Sequence, residues 1–284
     1  MTPREVAAAL AAAGVPSPDA DARWLCEHVR DHLGDPASDP AAADALAALV
    51  ARRAAREPLQ LVLGTWAFRT VELVCRPGVF VPRPETEAVA GAAIDAARAA
   101  GPGARVAEPC TGSGAIACAL LAEVAGVEVV ATDHDPRAVA AARENLARVG
   151  DGRAGPPPAP GASAQVRHGE LLAPLDPAWR GHLDVLVANP PYLPTADVAS
   201  WEPEVTDHDP HDALLGGPDG HEVVDRLLTL AGTWLAPGGT VVVEIDERRG
   251  GDAAAAARAA GLVGVRLVHD LSGADRAITG RRAK

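Results

Sequence analysis

The tetrapeptide Asn189-Pro190-Pro191-Tyr192 carries the side chains best suited to chemistry. It directly follows Leu183–Ala188, a run typical of a buried strand with one acid. Proline lacks the N–H that a sheet ladder needs, so the strand must stop here. Asn189 therefore lies at the carboxyl end of a strand, where open α/β sheets bind ligands. An amide, two stiff carbonyls and a phenol at that edge are suited to holding a planar NH2 group while its nitrogen reacts.

A glycine-rich turn follows an earlier predicted strand of the same sheet. It spans Glu108–Gly114 (EPCTGSG) and opens a helix, an arrangement that brings backbone close to a ligand beside free helix N–H groups. Asp133 ends the next predicted strand, where an acid accepts hydrogen bonds from ribose hydroxyls. Many α/β proteins have such a turn with no ligand. Here the first glycine of the dinucleotide pattern is absent, which favours one adenosine, and together with NPPY it predicts S-adenosylmethionine, with S-adenosylhomocysteine as product.

The elements that position these residues are predicted from periodicity and punctuation. Residues 1–58 have helical spacing, and Thr2 with Glu5 forms a capping-box pattern. Residues 59–81 are rich in β-type residues and predict a β-hairpin linker. Residues 82–284 alternate strands and helices, which predicts an α/β domain with a mostly parallel, seven-stranded, Rossmann-like sheet. The low-complexity stretch 150–164 predicts a disordered surface loop.

Composition excludes several classes of function. The net charge is −12, from 26 basic and 38 acidic residues, which argues against a tight hold on nucleic acid phosphates. The four cysteines have no CxxC or zinc spacing, so we expect free thiols in a reducing cytosol and no metal. His208 and His211 resemble metal ligands, but a solvated acidic loop is the better interpretation. The chain has neither a signal-peptide pattern nor an apolar run of membrane-spanning length, and we expect a cytoplasmic monomer.

Nearly the whole chain resembles the protein-(glutamine-N5) methyltransferases. The resemblance rests on the NPPY tetrapeptide, the turn Thr111–Ile116 and a highly specific PRPxTE signature. Three further segments are similar to the family's linker, downstream and C-terminal motifs. These motifs lie at 56–64 (REPLQ with LG), 81–87 (VPRPETE), 213–220 (ALLGGPDG) and 270–276 (DLSGADR). The resemblance implies the fold class of S-adenosylmethionine-dependent methyltransferases behind a helical substrate-docking domain.

The resemblance also implies roles for individual residues. Asn189 and the Pro190 carbonyl accept the two hydrogens of a glutamine amide, and Tyr192 packs beside the glutamine and cofactor. The four residues of NPPY bind the substrate, and Asn189 contacts the cofactor too. The other residues expected at the cofactor are Glu108, Cys110, Thr111, Gly112, Ser113, Gly114, Asp133, Glu170 and Leu171. Cys110 stands where the family usually has glycine, and Glu108 and Glu170 stand for the commoner aspartate.

The substrate implied by the resemblance is a peptide chain release factor with a Gly-Gly-Gln loop, and a ribosomal protein is the sister branch's target. Two other functions stay open at this point. NPPY also fits adenine-N6 methyltransferases, which act on a flipped base in a basic groove, whereas this chain is acidic. A degenerate module that binds S-adenosylmethionine and only docks a partner is the third candidate, and the intact NPPY argues against it.

Overall fold

The structure, a computed structural model, describes residues 1–284. The chain forms two compact units. One consists of residues 1–66 with 201–208, and the other of residues 67–200 with 209–284. The helical unit is therefore larger than the predicted 1–58, and it takes a short segment from downstream of NPPY.

The helices and strands alternate along most of the chain. The helices are α1 (Pro3–Ala12), α2 (Pro18–Leu33), α3 (Pro40–Ala54), α4 (Leu59–Leu63), α5 (Thr86–Ala100), α6 (Ala115–Glu123), α7 (Pro136–Gly150), α8 (Pro203–Thr206), α9 (Glu222–Trp234) and α10 (Gly250–Ala259). The strands are β1 (Thr65–Phe68), β2 (Val71–Val74), β3 (Arg105–Pro109), β4 (Glu128–Asp133), β5 (Ser163–His168), β6 (Leu183–Ala188), β7 (Leu235–Glu244), β8 (Leu262–His269) and β9 (Asp275–Arg282). None of the helices is long and apolar enough to cross a membrane.

The helical unit packs α1 to α4 around a small aliphatic core. The predicted capping box is present: Thr2 Oγ1 accepts from the Glu5 N–H at 3.3 Å, and Glu5 Oε2 accepts from the Thr2 N–H at 2.7 Å. Each of the first three helices has proline in its first turn, where the missing N–H costs nothing. Their buried side chains include Val6, Leu10, Leu25, Val29, Leu46 and Val50.

The second unit is built on a seven-stranded sheet with the strand order β5-β4-β3-β6-β7-β9-β8. Strands β3 to β7 pair in parallel, and only β9 runs antiparallel to its neighbours. Helices cover both faces, and each face has its own apolar core. The predicted fold class is thus confirmed. The carboxyl ends of β3, β4, β6 and β7 lie along one edge of this sheet.

The predicted hairpin over 59–81 is shorter than expected. Residues 59–63 form helix α4, and only β1 and β2 pair as a two-stranded sheet. Leu59, Leu61 and Val62 are buried, and Gly64 ends the helix with φ 81°. The run of β-type residues therefore begins with a helical turn, because tertiary burial outweighs β propensity over so short a stretch.

The prediction of a disordered loop at 150–164 is wrong. Its backbone is anchored at three points: the Ala154 carbonyl accepts from Glu72 N–H at 2.7 Å, the Pro160 carbonyl accepts from Gly126 N–H at 2.9 Å, and Ala159 N–H donates to the Leu121 carbonyl at 3.0 Å. The composition does not indicate this anchoring. Proline and glycine still have a backbone carbonyl, which can accept hydrogen bonds from distant residues.

Candidate active site

The glycine-rich turn between β3 and α6 forms one wall of the site. Its backbone enters the left-handed region three times, at Cys110 (φ 58°), Gly112 (φ 57°) and Gly114 (φ 81°). A Cβ atom at Gly114 would lie 3.0 Å from the Ala142 Cβ and 3.1 Å from its Cα. Glycine is therefore needed at this position for α7 to pack against the turn.

Asp133, at the end of β4, is fixed to the same turn by backbone donors. Its Oδ2 accepts from the Gly112 N–H at 2.9 Å, and its Oδ1 accepts from the Asp135 N–H at 2.9 Å. Thr111 N–H also donates to the carbonyl of Thr132 at 3.1 Å. The predicted acceptor for ribose hydroxyls thus has a defined position beside the glycine turn.

These elements line a pocket at the carboxyl edge of the sheet. Eight of the predicted site residues line the pocket: Glu108, Cys110, Thr111, Gly112, Ser113, Asp133, Asn189 and Pro191. Phe80, Arg83 and Thr86, from the segment that precedes and opens α5, line it as well.

Glu108 is the most deeply buried acid of the pocket wall. It is 2% exposed, and neither Glu108 Oε2 nor the Thr111 hydroxyl makes a hydrogen bond of good geometry. Burial raises the pKa of Glu108 well above its usual value, and the charge of Asp133 raises it further. Hydrogen bonds from the Thr111 hydroxyl and the Ala117 N–H oppose the rise. A buried carboxyl in a pocket wall suits a ligand that is cationic and rich in N–H and O–H groups. S-adenosylmethionine, with an ammonium, a sulfonium and two ribose hydroxyls, has that chemistry.

Asn189 directly follows β6, the strand next to β3, and lines the same pocket. Its Nδ2 donates to the Thr86 hydroxyl at 3.2 Å, which leaves the amide oxygen as an acceptor for another donor. Thr86 is 4% exposed and begins α5. The PRPETE segment therefore orients the amide of Asn189.

The backbone of the NPPY tetrapeptide is supported by the segment 213–220. A Cβ atom at Gly216 would lie 2.7 Å from the Pro191 carbonyl oxygen, and one at Gly220 would lie 2.3 Å from that of Tyr192. The Leu193 N–H donates to the Leu214 carbonyl at 2.8 Å, and the Leu193 carbonyl accepts from the Gly216 N–H at 3.0 Å. The two glycines thus allow the close approach that holds the tetrapeptide in place.

Tyr192 does not line the pocket. Its phenol donates to Glu244 Oε1 at 3.2 Å, and its ring packs against the core on one face of the sheet. Burial raises the pKa of Tyr192 well above its usual value, and Glu244 raises it further. Tyr192 was predicted to pack beside the glutamine and cofactor. The structure shows its hydroxyl on Glu244, at the carboxyl end of β7, and the role beside the ligands stays a prediction.

Four more predicted site residues do not line the pocket. Pro190 and Leu171 are buried, Leu171 with φ 45°. Glu170 is exposed, and its carboxylate pairs with Arg226 at 2.7 Å. Gly114 contributes through its contact with Ala142 and not through the pocket wall.

Arg83 and Asp209 form an ion pair that the sequence did not predict. Asp209 belongs to the segment 207–212, predicted as a solvated acidic loop, yet it is 5% exposed. The Arg83 guanidinium also stacks 5.1 Å from the centre of the Phe80 ring. The loop is therefore tied to the PRPETE segment at this residue. No group of three or more His, Cys, Asp or Glu side chains is placed to hold a metal ion.

Sequence reasoning singled out neither Thr86, which lines the pocket, nor Glu244, which accepts from the Tyr192 phenol. Both had a signal: Thr86 lies inside the specific PRPETE signature, and Glu244 is an acid at the end of the run Val241–Val243. A charge at the end of a central parallel strand is costly to bury unless it serves the ligand-binding edge.

This fold and this pocket define the class of S-adenosylmethionine-dependent methyltransferases. Residues 71–201 match the family model described as "Methyltransferase small domain", and residues 4–64 match "PrmC N-terminal domain". A crystal structure of a methyltransferase from Pyrococcus furiosus has the same fold, with a TM-score of 0.52 and 17% identity over 77% of this chain and 92% of that one.

Comparison with curated proteins narrows the class. A release factor glutamine methyltransferase from Mycobacterium tuberculosis is 39% identical over 286 residues, which cover 97% of this chain and 89% of that protein. One from Deinococcus radiodurans is 39% identical over 98% of this chain and 96% of its own length. The chain belongs to the release factor glutamine methyltransferase family.

Proposed function

We propose that this chain transfers the methyl group of S-adenosylmethionine to the side-chain amide nitrogen of a glutamine in a peptide chain release factor. The observation that carries the proposal is that Asn189 lines the same pocket as Glu108 and Asp133. An acceptor for an NH2 group and a set of acceptors for a cationic nucleoside share one cavity. Relatives of nearly the same length are named for this reaction.

The proposed cofactor site is formed by the carboxyl ends of β3 and β4. Asp133 accepts the ribose hydroxyls, while Glu108 and Thr111 accept donors of the methionine part. When bound, S-adenosylmethionine supplies a methyl group activated by its sulfonium charge. Cys110 and Ser113 complete the wall beside the turn. Glu170 and Leu171 stay outside this proposed set of contacts, because neither lines the pocket.

Asn189 performs the central step in this proposal. The nitrogen of a glutamine amide is a poor nucleophile, because its lone pair is delocalised into the carbonyl. The Asn189 oxygen and the Pro190 carbonyl accept its two hydrogens, which orients the nitrogen and favours the positive charge that develops on it. Tyr192 anchors the tetrapeptide through its hydrogen bond to Glu244.

The proposal places the reaction on a protein and not on nucleic acid. The net charge of −12 is unfavourable for contact with phosphates and favourable for docking to a basic protein surface. An adenine-N6 methyltransferase would share NPPY but would act on DNA or RNA. The two functions differ in their product, and one assay distinguishes them.

The test is a methyl-transfer assay with labelled S-adenosylmethionine and three acceptors: a bacterial release factor, a ribosomal protein fraction and DNA. Peptide mass spectrometry should find one added methyl on the glutamine of the Gly-Gly-Gln loop. Asn189→Ala should lower the rate by about 10²–10³, the usual effect of losing one such acceptor, with cofactor affinity little changed. Methylation of DNA in place of protein, or a normal rate for Asn189→Ala, would contradict the proposal.

A further inference from the structure

We propose that Glu244 is a positioning residue, which acts through the Thr86 hydroxyl to fix the orientation of the Asn189 side-chain amide. The inference rests on the proposed function, because that function requires the Asn189 oxygen, and not its nitrogen, to face the substrate.

Three elements bring these side chains together at the carboxyl edge of the sheet. Glu244 is the last residue of β7, the strand next to β6, and Asn189 directly follows β6. Thr86 is the first residue of α5, which packs over both strands. Glu244 is fully buried, with 0% exposure. A carboxyl group in such a place is expensive to ionise and needs donors.

Glu244 has one hydrogen bond of normal geometry, from the Tyr192 phenol to Oε1 at 3.2 Å. Its second oxygen, Oε2, is buried without a partner. Thr86 begins α5, the helix that packs over β7, and its hydroxyl lowers the pKa of this carboxyl by hydrogen bonding. We assign Thr86 as the donor that Oε2 lacks.

The direction of the hydrogen bonds follows from this assignment. An ionised carboxylate only accepts, so the Thr86 proton must point towards Glu244. The Thr86 oxygen then presents lone pairs towards Asn189, and only Nδ2 of the amide can donate to them, as observed at 3.2 Å. The Asn189 oxygen is consequently left for the substrate. The charge of Glu244 thus sets the polarity of a chain that ends at the reacting group.

Protonation reverses this preference. A neutral carboxyl can donate to Thr86, which frees the Thr86 proton to point at Asn189 and favours the flipped amide. Burial raises the pKa of Glu244 to about 7. Thr86 and Tyr192 oppose the rise by hydrogen bonding, Glu85 adds to it, and Arg276 opposes it by charge. The active orientation is therefore favoured above this pKa and lost as the pH falls through it.

The test measures methyl transfer to a release factor from pH 5.5 to 9 (about 1.5 to 2 units on either side of the pKa). The variants are Glu244→Gln and the pair Thr86→Val and Thr86→Ser, with Glu128→Gln as control. Glu128 lies at the start of β4, away from the site, with its side chain 45% exposed. The wild type should lose kcat below a midpoint near 7. Glu244→Gln should lower kcat at least about tenfold and at most by the roughly 10²–10³ that removing an acceptor costs. It should also lose the acid limb of the pH profile.

The matched variants separate orientation from folding. Valine has nearly the same shape as threonine but no hydroxyl, so kcat of Thr86→Val should fall as in Glu244→Gln. Serine keeps the hydroxyl, so kcat of Thr86→Ser should stay close to that of the wild type. Glu85→Gln removes a charge that raises the pKa of Glu244, and the acid limb should move to lower pH. Affinity for S-adenosylmethionine, measured by calorimetry, should stay within about twofold for Glu244→Gln, because Glu244 does not line the pocket. Wild-type kcat with an intact acid limb in Glu244→Gln would overturn the proposal.

Failure of the proposed function has a different signature. If the wild type methylates no release factor, the hydrogen-bond chain is still testable by NMR of the Asn189 side-chain amide. Its resonances should shift with a midpoint near pH 7 in the wild type and should be independent of pH in Glu244→Gln. If the chemical shifts of this amide change neither with pH nor with the substitution, that result alone would overturn the inference.

Discussion

Cys110 adopts a backbone conformation that side chains rarely tolerate. Its φ of 58° places it in the left-handed region, which costs a residue with a Cβ about 1–2 kcal/mol. The family resemblance places glycine here, the residue that has no such cost. Burial raises the pKa of the Cys110 thiol, so the sulfur stays protonated at neutral pH and is a poor nucleophile. Cys110 shapes the pocket without reacting in it.

Paired substitutions measure this strain. Cys110→Gly and Cys110→Ala both remove the thiol, but only glycine relieves the backbone. We expect the glycine variant to be more stable than the alanine variant by about 1 kcal/mol, measured by urea unfolding of both proteins. Equal stability of the two variants would show that the turn relaxes around a Cβ.

We expect Glu108 to couple the binding of S-adenosylmethionine to the release of protons. Burial and the charge of Asp133 raise its pKa, which favours the neutral carboxyl when no cation is bound. A cationic ligand favours the ionised form. Binding of S-adenosylmethionine should therefore release protons, and its affinity should rise with pH up to the pKa of Glu108 in the free protein.

Calorimetric titrations in buffers of different ionisation enthalpy measure this proton release. Glu108→Gln is the control, because an amide cannot exchange the proton, and its binding should show neither release nor the associated pH dependence. Identical binding enthalpies across buffers for the wild type would contradict the linkage.

At the scale of elements, α7 is joined to two other segments by one buried amide. Asn145 is fully buried. Its Oδ1 accepts from the Val74 N–H at 2.8 Å, and its Nδ2 donates to the carbonyls of Val74 at 3.1 Å and of Ser113 at 3.0 Å. One side chain thus connects α7 to β2 and to the glycine turn of the pocket.

Removal of this amide should loosen all three segments. Asn145→Ala leaves the buried groups of Val74 and Ser113 without partners, and we expect a loss of about 2–3 kcal/mol in the free energy of unfolding. Chemical denaturation gives this value. Asn145→Asp tests the donor half alone, because its acceptor is kept. If Asn145→Ala unfolds like the wild type, water replaces the amide.

Most elements of the sheet could be predicted from the sequence, because buried parallel strands are apolar runs whose ends are marked by glycine, proline and polar residues. It placed Asp133 and Asn189 at strand ends correctly, since NPPY and the glycine turn both stop a strand. It did not predict α4 or the anchored loop at 150–164, which depend on contacts distant in sequence. The same holds for Glu244 and Thr86, whose partners lie 52 and 103 residues away.

At the scale of the whole molecule, the helical unit includes α8, a segment encoded far from the other helices. Glu204 of α8 accepts from Arg53 at 2.8 Å and from the Arg56 Nε at 2.7 Å. Arg53, 5% exposed, also donates to Asp21 at 2.7 Å. Burial opposes ionisation of Glu204, but hydrogen bonds from both arginines hold its pKa below the usual value. The cluster therefore stabilises the unit above that pKa and weakens as the pH falls through it.

Two acids of this segment should differ in their contribution. Glu204→Gln removes a charge from buried arginines, and we expect a loss of about 2 kcal/mol in stability. Glu202→Gln is the control, because its side chain is 66% exposed and exposed pairs contribute less than about 1 kcal/mol. Thermal unfolding monitored by circular dichroism compares the two. Similar melting temperatures for both variants would show that Asp21 alone neutralises Arg53.

The origin of α8 has a consequence for the order of biosynthesis. N-terminal domains usually fold first as the chain leaves the ribosome, yet residues 1–66 cannot complete their set of ion pairs until Glu204 has been translated. The carboxylate that pairs with Arg53 and Arg56 is translated about 150 residues later. A nascent chain that stops before residue 201 therefore holds an unfinished helical unit, which is completed only after β6 and the NPPY tetrapeptide have been made.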